Sequence, residues 1–113
     1  MAKDCLFCKI IAGEIPGNKV YEDDEVLAFR DIAPQAPTHI LVVPKKHISG
    51  PAALSEADDR LAGKILRLAK DIAAKEGLTD YRLVFNNGAG VGQSVFHLHM
   101  HILGGRSLGW PPG

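Results

Sequence analysis

The sequence predicts an α+β domain, built from a mostly antiparallel five-stranded sheet, one long helix and a short N-terminal helix. One observation behind this is a single long amphipathic pattern over residues 55–77. Another is a set of five short segments, rich in branched and aromatic residues, that turn-forming residues separate. Since 113 residues suffice for one modest core, residues 1–113 are predicted to form a single domain.

The N-terminal part predicts a short helix followed by a hairpin. Residues 4–12 carry apolar side chains on one side, with Asp4 as a candidate cap and Gly13 at the end. Residues 19–22 and 26–29 then flank two aspartates, which is typical of two strands joined by a tight turn.

A third strand and the long helix follow. Residues 39–43 form an apolar run that Pro44 closes, as in a buried strand. The helix is predicted from Ser55 as N-cap, with Asp58 at capping-box spacing, to Gly77 as terminator. Its apolar stripe consists of Leu61, Ile65, Leu68 and Ile72.

The last two strands are predicted over residues 81–86 and 94–103, with a glycine-rich turn over residues 87–92 between them. The resulting order of elements places the long helix across one face of the sheet.

The overall charge and hydropathy point to local recognition of any ligand. Thirteen basic and thirteen acidic residues give a formal net charge of zero, so no global field attracts nucleic acid or an anionic membrane. No apolar run approaches the ~20 residues of a membrane span. The first residues lack the order of a secretory signal. We therefore expect a cytoplasmic protein with no nucleic-acid or membrane partner.

Three histidines alternate with apolar residues near the C-terminus. On a strand, this spacing sends His97, His99 and His101 to one face. Imidazoles titrate near neutrality, so one can act as a nucleophile while another binds an anion or donates a proton. A polar surface strand or an adventitious metal site are the alternative interpretations. The intervening residues predicted on the core face are Leu98, Met100 and Ile102.

The glycine-rich turn before the histidines is a candidate phosphate cradle. Gly88, Gly90 and Gly92 permit positive φ and can turn backbone N–H groups toward one point, while Gln93 and Ser94 add side-chain donors. Alone, such a turn is usually a strand connection. Its position beside the histidines favours the phosphate interpretation.

Two cysteines, Cys5 and Cys8, lie three positions apart near the N-terminus. In a reducing compartment this spacing favours thiols or metal ligands over a structural disulfide. Packing as small hydrophobic residues is the other interpretation.

Several segments together resemble the nucleotide-binding phosphoramidase branch of the histidine triad family. The likeness covers nearly the whole chain, from Asp31-Ile32-Ala33-Pro34-Gln35-Ala36-Pro37-Thr38-His39 to the terminal Trp110-Pro111-Pro112-Gly113. It includes Pro44-Lys45-Lys46-His47-Ile48, Gly92-Gln93-Ser94-Val95, His97-Leu98-His99-Met100-His101-Ile102 and Leu103-Gly104-Gly105-Arg106.

The resemblance implies catalytic roles for four residues. His99 would be the nucleophile that forms a nucleotidyl-histidine intermediate. His101 would contact the phosphate and help to protonate the leaving group, His97 would fix the tautomer of His99, and Ser94 would lie near the leaving nitrogen. His39 is most simply a strand residue.

The resemblance also implies a nucleotide pocket. Asp31 would hold the ribose hydroxyls, and Trp110 would approach the site of a partner subunit. The base pocket would consist of Leu6, Phe7, Ile10, Phe29 and Ile32, and the phosphate side of Asn86, Gly92, Gln93, Ser94 and Val95.

A structural zinc ion is implied by some family members, through Cys5, Cys8, His47 and His97. Catalysis itself would require no cofactor. Whether these residues bind zinc or only pack stays open at this point.

We therefore expect a homodimeric purine nucleoside phosphoramidase that releases a nucleoside monophosphate from an amine. A dinucleotide polyphosphate hydrolase is the alternative among enzymes. A nucleotide-sensing scaffold with incidental hydrolysis, and a metal-binding module without catalysis, are alternatives of other classes.

Overall fold

A computed structural model describes residues 4–113 and confirms the predicted fold class. The five strands form one antiparallel sheet in the order β1-β2-β3-β5-β4. Their bounds are β1 Lys19–Glu22, β2 Val26–Arg30, β3 Thr38–Pro44, β4 Tyr81–Phe85 and β5 Met100–Gly104.

The long helix α2 spans Asp59–Lys75 and follows two 3-10 turns, Pro51–Ala53 and Glu56–Asp58, the second of which leads directly into it. The predicted capping box is present, because the Ser55 backbone N–H donates to the Asp58 carboxylate at 3.0 Å. Gly77 follows the helix at φ +76°, a left-handed conformation that glycine adopts without steric cost. The predicted start and end of this element are confirmed.

The short helix α1 spans Leu6–Ile11 and starts one residue later than a cap at Asp4 predicts. The N-cap is Cys5, whose Sγ accepts the backbone N–H of Cys8 at 3.3 Å. The cysteine spacing therefore also serves the helix start, since a side-chain acceptor satisfies an orphan N–H there.

Two apolar clusters cover the two faces of the sheet. On one face, Ile40 and Met100 pack with α2 residues such as Ile65. On the other face, Leu41 and Phe29 pack with residues of α1 and its flanks. β3 is accordingly buried along its whole length. A helix was expected on one face only, and the cavity described below lies on the second face, beside α1.

The last strand is shorter than the predicted 94–103, because β5 begins at Met100. Pro44 has no N–H to donate, and its carbonyl oxygen lies 2.8 Å from the Nε2 of His97 instead of taking part in a ladder with β5. The backbone N–H of Leu98 donates to Ile48 at 2.6 Å. These contacts take the segment before β5 out of the sheet.

The two edges of the sheet are β1 and β4. Tyr81 and Phe85 on β4 are exposed large hydrophobic residues. In the described part of the chain, no helix is long and apolar enough to cross a membrane.

Candidate active site

A cavity of about 580 Å³ opens on the α1 side of the sheet. It brings together two of the three alternating histidines, His99 and His101, with Asp31. The other predicted site residues that line it are Leu6, Phe7, Ile10, Phe29, Ile32, Gly92, Ser94 and Val95. One end is therefore apolar and the other carries imidazole, hydroxyl and carboxylate groups.

Some predicted site residues lie elsewhere. Asn86 does not line the cavity, and Trp110 is 83% exposed in this single chain. Gln93 is buried, and its side-chain nitrogen donates to the backbone oxygens of Ser49 and Val95. Gln93 thus fixes the loop rather than facing the cavity.

The glycine-rich turn contributes less backbone than an anion nest requires. The N–H of Gly88 donates to the side-chain oxygen of Gln93 at 2.7 Å. The N–H groups of Val91, Gly92 and Gln93 donate to carbonyl oxygens within the same turn. Gly88 and Gly92 have the positive φ that the glycine pattern predicts. These glycines let the turn close on itself and present Ser94 to the cavity.

His99 is held in one tautomer by a backbone carbonyl. Its Nδ1 lies 2.7 Å from the carbonyl oxygen of His97. A carbonyl only accepts, so Nδ1 carries the proton and Nε2 keeps the lone pair in the neutral ring. The ring of Phe7 packs edge-on against that of His99 at 5.0 Å between centroids. The basic nitrogen of the neutral His99 ring is therefore Nε2.

His101 is part of a hydrogen-bonded pair with His39. The backbone N–H of Gln35 donates to Nδ1 of His39 at 3.0 Å, so the neutral His39 ring carries its proton on Nε2. That Nε2 lies 2.9 Å from Nδ1 of His101 and donates to it. The proton of neutral His101 is then on Nε2, which makes this nitrogen a donor.

Asp31 completes this polar end of the cavity. One carboxylate oxygen accepts the N–H of Ala33 at 2.8 Å, and the other lies 3.5 Å from Nε2 of His39. Burial lowers the pKa of His39, an effect that the nearby Asp31 charge opposes. Burial, together with His99 and His39, lowers the pKa of His101 to about 4. The pair is therefore neutral at pH 7.

The ring of His97 points away from the cavity and into a second cluster. Its Nδ1 lies 3.3 Å from Sγ of Cys5, 3.5 Å from Sγ of Cys8 and 3.1 Å from Nδ1 of His47. Sγ of Cys8 lies 3.3 Å from Nδ1 of His47. The resemblance gives His97 the role of fixing the tautomer of His99. In the structure the backbone carbonyl of His97 makes this contact, and its ring does not.

These four side chains fit a tetrahedral zinc ion. With zinc–nitrogen and zinc–sulfur bonds of the usual length, the edges between ligand atoms are about 3.3 to 3.8 Å, shortest between two nitrogens and longest between two sulfurs. The four ligand atoms all lie within 4.8 Å of one another. Nε2 of His97 lies 2.8 Å from the carbonyl oxygen of Pro44 and donates its proton there, so Nδ1 presents its lone pair to the cluster.

The same reasoning argues against a metal at the group of Asp31, His39 and His101. There, Nδ1 of His39 accepts a backbone N–H, so Nε2 carries the proton and has no lone pair for a metal. The hydrogen bond that each imidazole makes with the backbone thus distinguishes the two groups: at His97 it leaves the lone pair on Nδ1, toward the cysteines, and at His39 it places the proton on Nε2, toward His101.

Sequence reasoning missed several residues of the site. His39 was assigned to the strand alone, although it contacts His101 across two strands. A histidine in an otherwise apolar strand was the available signal. Other lining residues that it missed are Ile15, Pro16, Gly17, Asn18, Arg30 and Leu41. Arg30 forms an ion pair with Glu76 at 2.9 Å.

The fold and the site together define a class of small α+β proteins in which alternating histidines follow a glycine-rich turn and continue into the last strand. The HIT domain family model matches residues 12–108. An uncharacterized HIT-like protein of Synechocystis sp. is 56% identical over 114 residues, which cover 100% of this chain and 100% of that protein. The chain therefore belongs to the HIT family, which confirms the resemblance to the histidine triad family.

Two further relatives bear on the site. A 14 kDa zinc-binding protein of Zea mays is 54% identical over 112 residues, covering 96% of this chain and 87% of that protein. The crystal structure of a HIT family hydrolase from Legionella pneumophila Philadelphia 1 has a TM-score of 0.95 and 55% identity, covering 97% of this chain and 100% of that chain.

Proposed function

We propose that this protein is a purine nucleoside phosphoramidase, which hydrolyses the phosphorus–nitrogen bond of a nucleoside monophosphate joined to an amine. The observation that carries the proposal is the hydrogen bond of 2.7 Å from Nδ1 of His99 to the carbonyl of His97. It leaves a basic nitrogen on a ring that lines a cavity large enough for a nucleotide. Similarity to a HIT family hydrolase supports hydrolysis.

The first step is displacement of the amine by His99. Nε2 of His99 attacks the α-phosphorus and forms a phosphorus–nitrogen bond as the bond to the leaving amine breaks. The amine takes a proton as it leaves, from Nε2 of His101 or from the hydroxyl of Ser94, and the donor stays deprotonated until the second step returns its proton. The product of this step is a nucleotidyl-histidine with a free amine.

In the second step, water attacks the same phosphorus. The bond to Nε2 of His99 breaks, its electron pair returns to the ring, and the proton of the water passes to the group that protonated the amine. The nucleoside monophosphate is then released. Asp31 would hold the ribose hydroxyls, and the apolar end of the cavity, with Phe7 and Phe29, would contain the base.

We also propose that Cys5, Cys8, His47 and His97 hold a zinc ion. The edge lengths of the cluster, the tautomer of His97 and the similarity to a zinc-binding protein support this. The ion would be structural: its four bonds would join the N-terminal helix to the segment before β5. No step of the hydrolysis requires it.

Two substrates test the proposed activity. Adenosine phosphoramidate should be hydrolysed to AMP faster than a diadenosine polyphosphate. Mass spectrometry of the quenched reaction should find a nucleotidyl adduct on His99. His99→Asn should lower turnover by about 10⁴-fold or more, as loss of a covalent nucleophile does, while AMP still binds.

Three results would contradict the proposal. An adduct on His97 or His101, or an active His99→Asn variant, would remove His99 from its role. Faster hydrolysis of the diadenosine polyphosphate would favour the alternative hydrolase. Binding of AMP with no turnover of either substrate would favour a nucleotide-sensing protein.

A further inference from the structure

His97 contributes to two places at once. Its ring nitrogen Nδ1 lies against Cys5 and His47, at 3.3 and 3.1 Å. Its backbone carbonyl oxygen lies 2.7 Å from Nδ1 of His99. One residue, His97, therefore connects the cluster of cysteines and histidines to the proposed nucleophile His99.

The main chain at this point is fixed on both sides. The other ring nitrogen of His97 donates to Pro44 at 2.8 Å, and the N–H of the next residue, Leu98, donates to Ile48 at 2.6 Å. A ring held at both nitrogens leaves little freedom to its own backbone. The direction of the His97 carbonyl thus depends on the contacts of both ring nitrogens, of which Nδ1 makes those with the cluster.

The two cysteines connect the cluster to the nucleophile by a second route. Phe7 lies between Cys5 and Cys8 on α1, and its ring packs edge-on against His99, with 5.0 Å between centroids. It also contacts the ring of His97 at 6.0 Å. Ligands that fix the cysteines therefore also fix the apolar wall beside His99.

We propose that Cys5 and Cys8 are positioning residues of the reaction, which act through the bound zinc ion and His97 to hold His99. With the cluster closed, the carbonyl of His97 keeps the proton of His99 on Nδ1 and the lone pair on Nε2. With the cluster open, the carbonyl and Phe7 lose their fixed positions, and His99 can rotate or change tautomer. This inference rests on the proposed role of His99 as the nucleophile.

The proposal separates kcat from KM. Asp31 and Ser94 line the cavity and lie outside the cluster, so a substrate should still bind when the cluster is open. Fewer molecules would then present Nε2 to phosphorus. Loss of the cysteine ligands should lower kcat by about 10- to 100-fold, the range for residues that support a site without touching the substrate, and should raise KM by a smaller factor, because Phe7 also lines the cavity.

The experiment compares Cys5→Ser and Cys8→Ser with the wild-type protein, each analysed for bound zinc. Steady-state kinetics with adenosine phosphoramidate give kcat and KM. Nitrogen-15 NMR of the histidine rings reports the tautomer of His99 without any substrate. We expect zinc loss, a lower kcat, and a shift or broadening of the His99 Nδ1–H signal.

A matched control removes the effect of lower stability. Ile72→Val trims the core on the α2 face, away from the cluster, and should lower the melting temperature without changing kcat or the His99 signal. If a cysteine variant does not fold, the comparison is made on the wild-type protein instead, with its zinc exchanged for the larger Cd²⁺. The Cd²⁺ form should shift the same His99 signal.

The proposal would be overturned by zinc-free, folded cysteine variants in which kcat and the His99 signal are both unchanged. It would also be overturned by a His99 signal that is the same in the zinc and Cd²⁺ forms. Failure of the wild type to hydrolyse the phosphoramidate would instead contradict the proposed function. The NMR comparison distinguishes the two cases, because it needs no turnover.

Discussion

Nε2 of His39 lies 2.9 Å from Nδ1 of His101, although 62 positions separate the two residues. They lie diagonally across neighbouring strands, because Leu41 of β3 pairs with His101 of β5. Since a backbone N–H fixes the proton of His39 on Nε2, His101 has one tautomer in which Nε2 is a donor. His39 therefore sets which nitrogen of His101 can deliver a proton to the cavity.

Replacing His39 should impair proton delivery and not binding. His39→Ala leaves Nδ1 of His101 without its donor, so the ring can adopt the other tautomer. We expect kcat for adenosine phosphoramidate to fall about 10- to 100-fold, less than a complete loss of general acid catalysis. Ile40→Val, on the opposite face of the same strand, is the control for packing loss. A His39→Ala enzyme with the kcat of this control would exclude the relay.

The depressed pKa of His101 predicts that the fold weakens in acid. Its pKa is about 4 in the folded protein, against 6.5 for an unperturbed histidine, mainly because of burial. Between these pH values the unfolded state binds the proton and the folded state does not. The contribution of neutral His101 to the free energy of unfolding is therefore full above pH 6.5 and is lost as the pH falls to about 4. Urea unfolding across this range should show the loss.

His101→Asn is the comparison for this titration. The free energy of unfolding of the variant should depend less steeply on pH, by up to one proton. Burial also lowers the pKa of His97 and that of His39, and both remain in the variant, so part of the slope should persist. Equal slopes in the two proteins would show that His101 does not titrate as the structure implies.

Local pattern was sufficient for the elements but not for the pairing of side chains. The capping box at Ser55 and the positive φ of Gly77 were predictable, because each depends on neighbours within a few residues. The late start of the last strand was not, since it depends on the contact between His97 and the distant carbonyl of Pro44. The partners of His39 and Gln93 likewise arise only once the sheet has formed.

Ser94 tests which leaving groups require a proton. It lines the cavity with His99 and His101, where the resemblance places a hydroxyl near the leaving nitrogen. Ser94→Ala should lower kcat by about 100-fold for an alkylamine leaving group, which must be protonated. An ester with an acidic phenol as leaving group should lose little. The test is to measure kcat for both substrates on one preparation of the variant. Equal losses of kcat for the two substrates would show that Ser94 does not deliver the proton.

The open edge of β4 predicts a homodimer. β1, at the other edge, is short and carries the charged residues Lys19 and Glu22, which discourage pairing. β4 instead exposes Tyr81 and Phe85, at 36% and 41% of their surfaces. A two-fold contact through such an edge is a common solution for small proteins. Sedimentation at micromolar concentration should show a dimer that Phe85→Glu weakens and Glu22→Lys does not; a stable, fully active wild-type monomer would contradict it.

The C-terminal tail should influence substrate preference through this dimer. Arg82 of the edge strand donates to the carbonyl of Gly109 at 2.7 Å, which holds the tail beside β4. Trp110 follows directly and is 83% exposed in the single chain, so its indole is available to a neighbouring subunit. Removal of residues 110–113 should change the ratio of kcat/KM between two phosphoramidates that differ in their amine, while the melting temperature stays close to that of the full chain. An unchanged ratio, in a truncated protein that sedimentation shows to be dimeric, would exclude a substrate contact by Trp110.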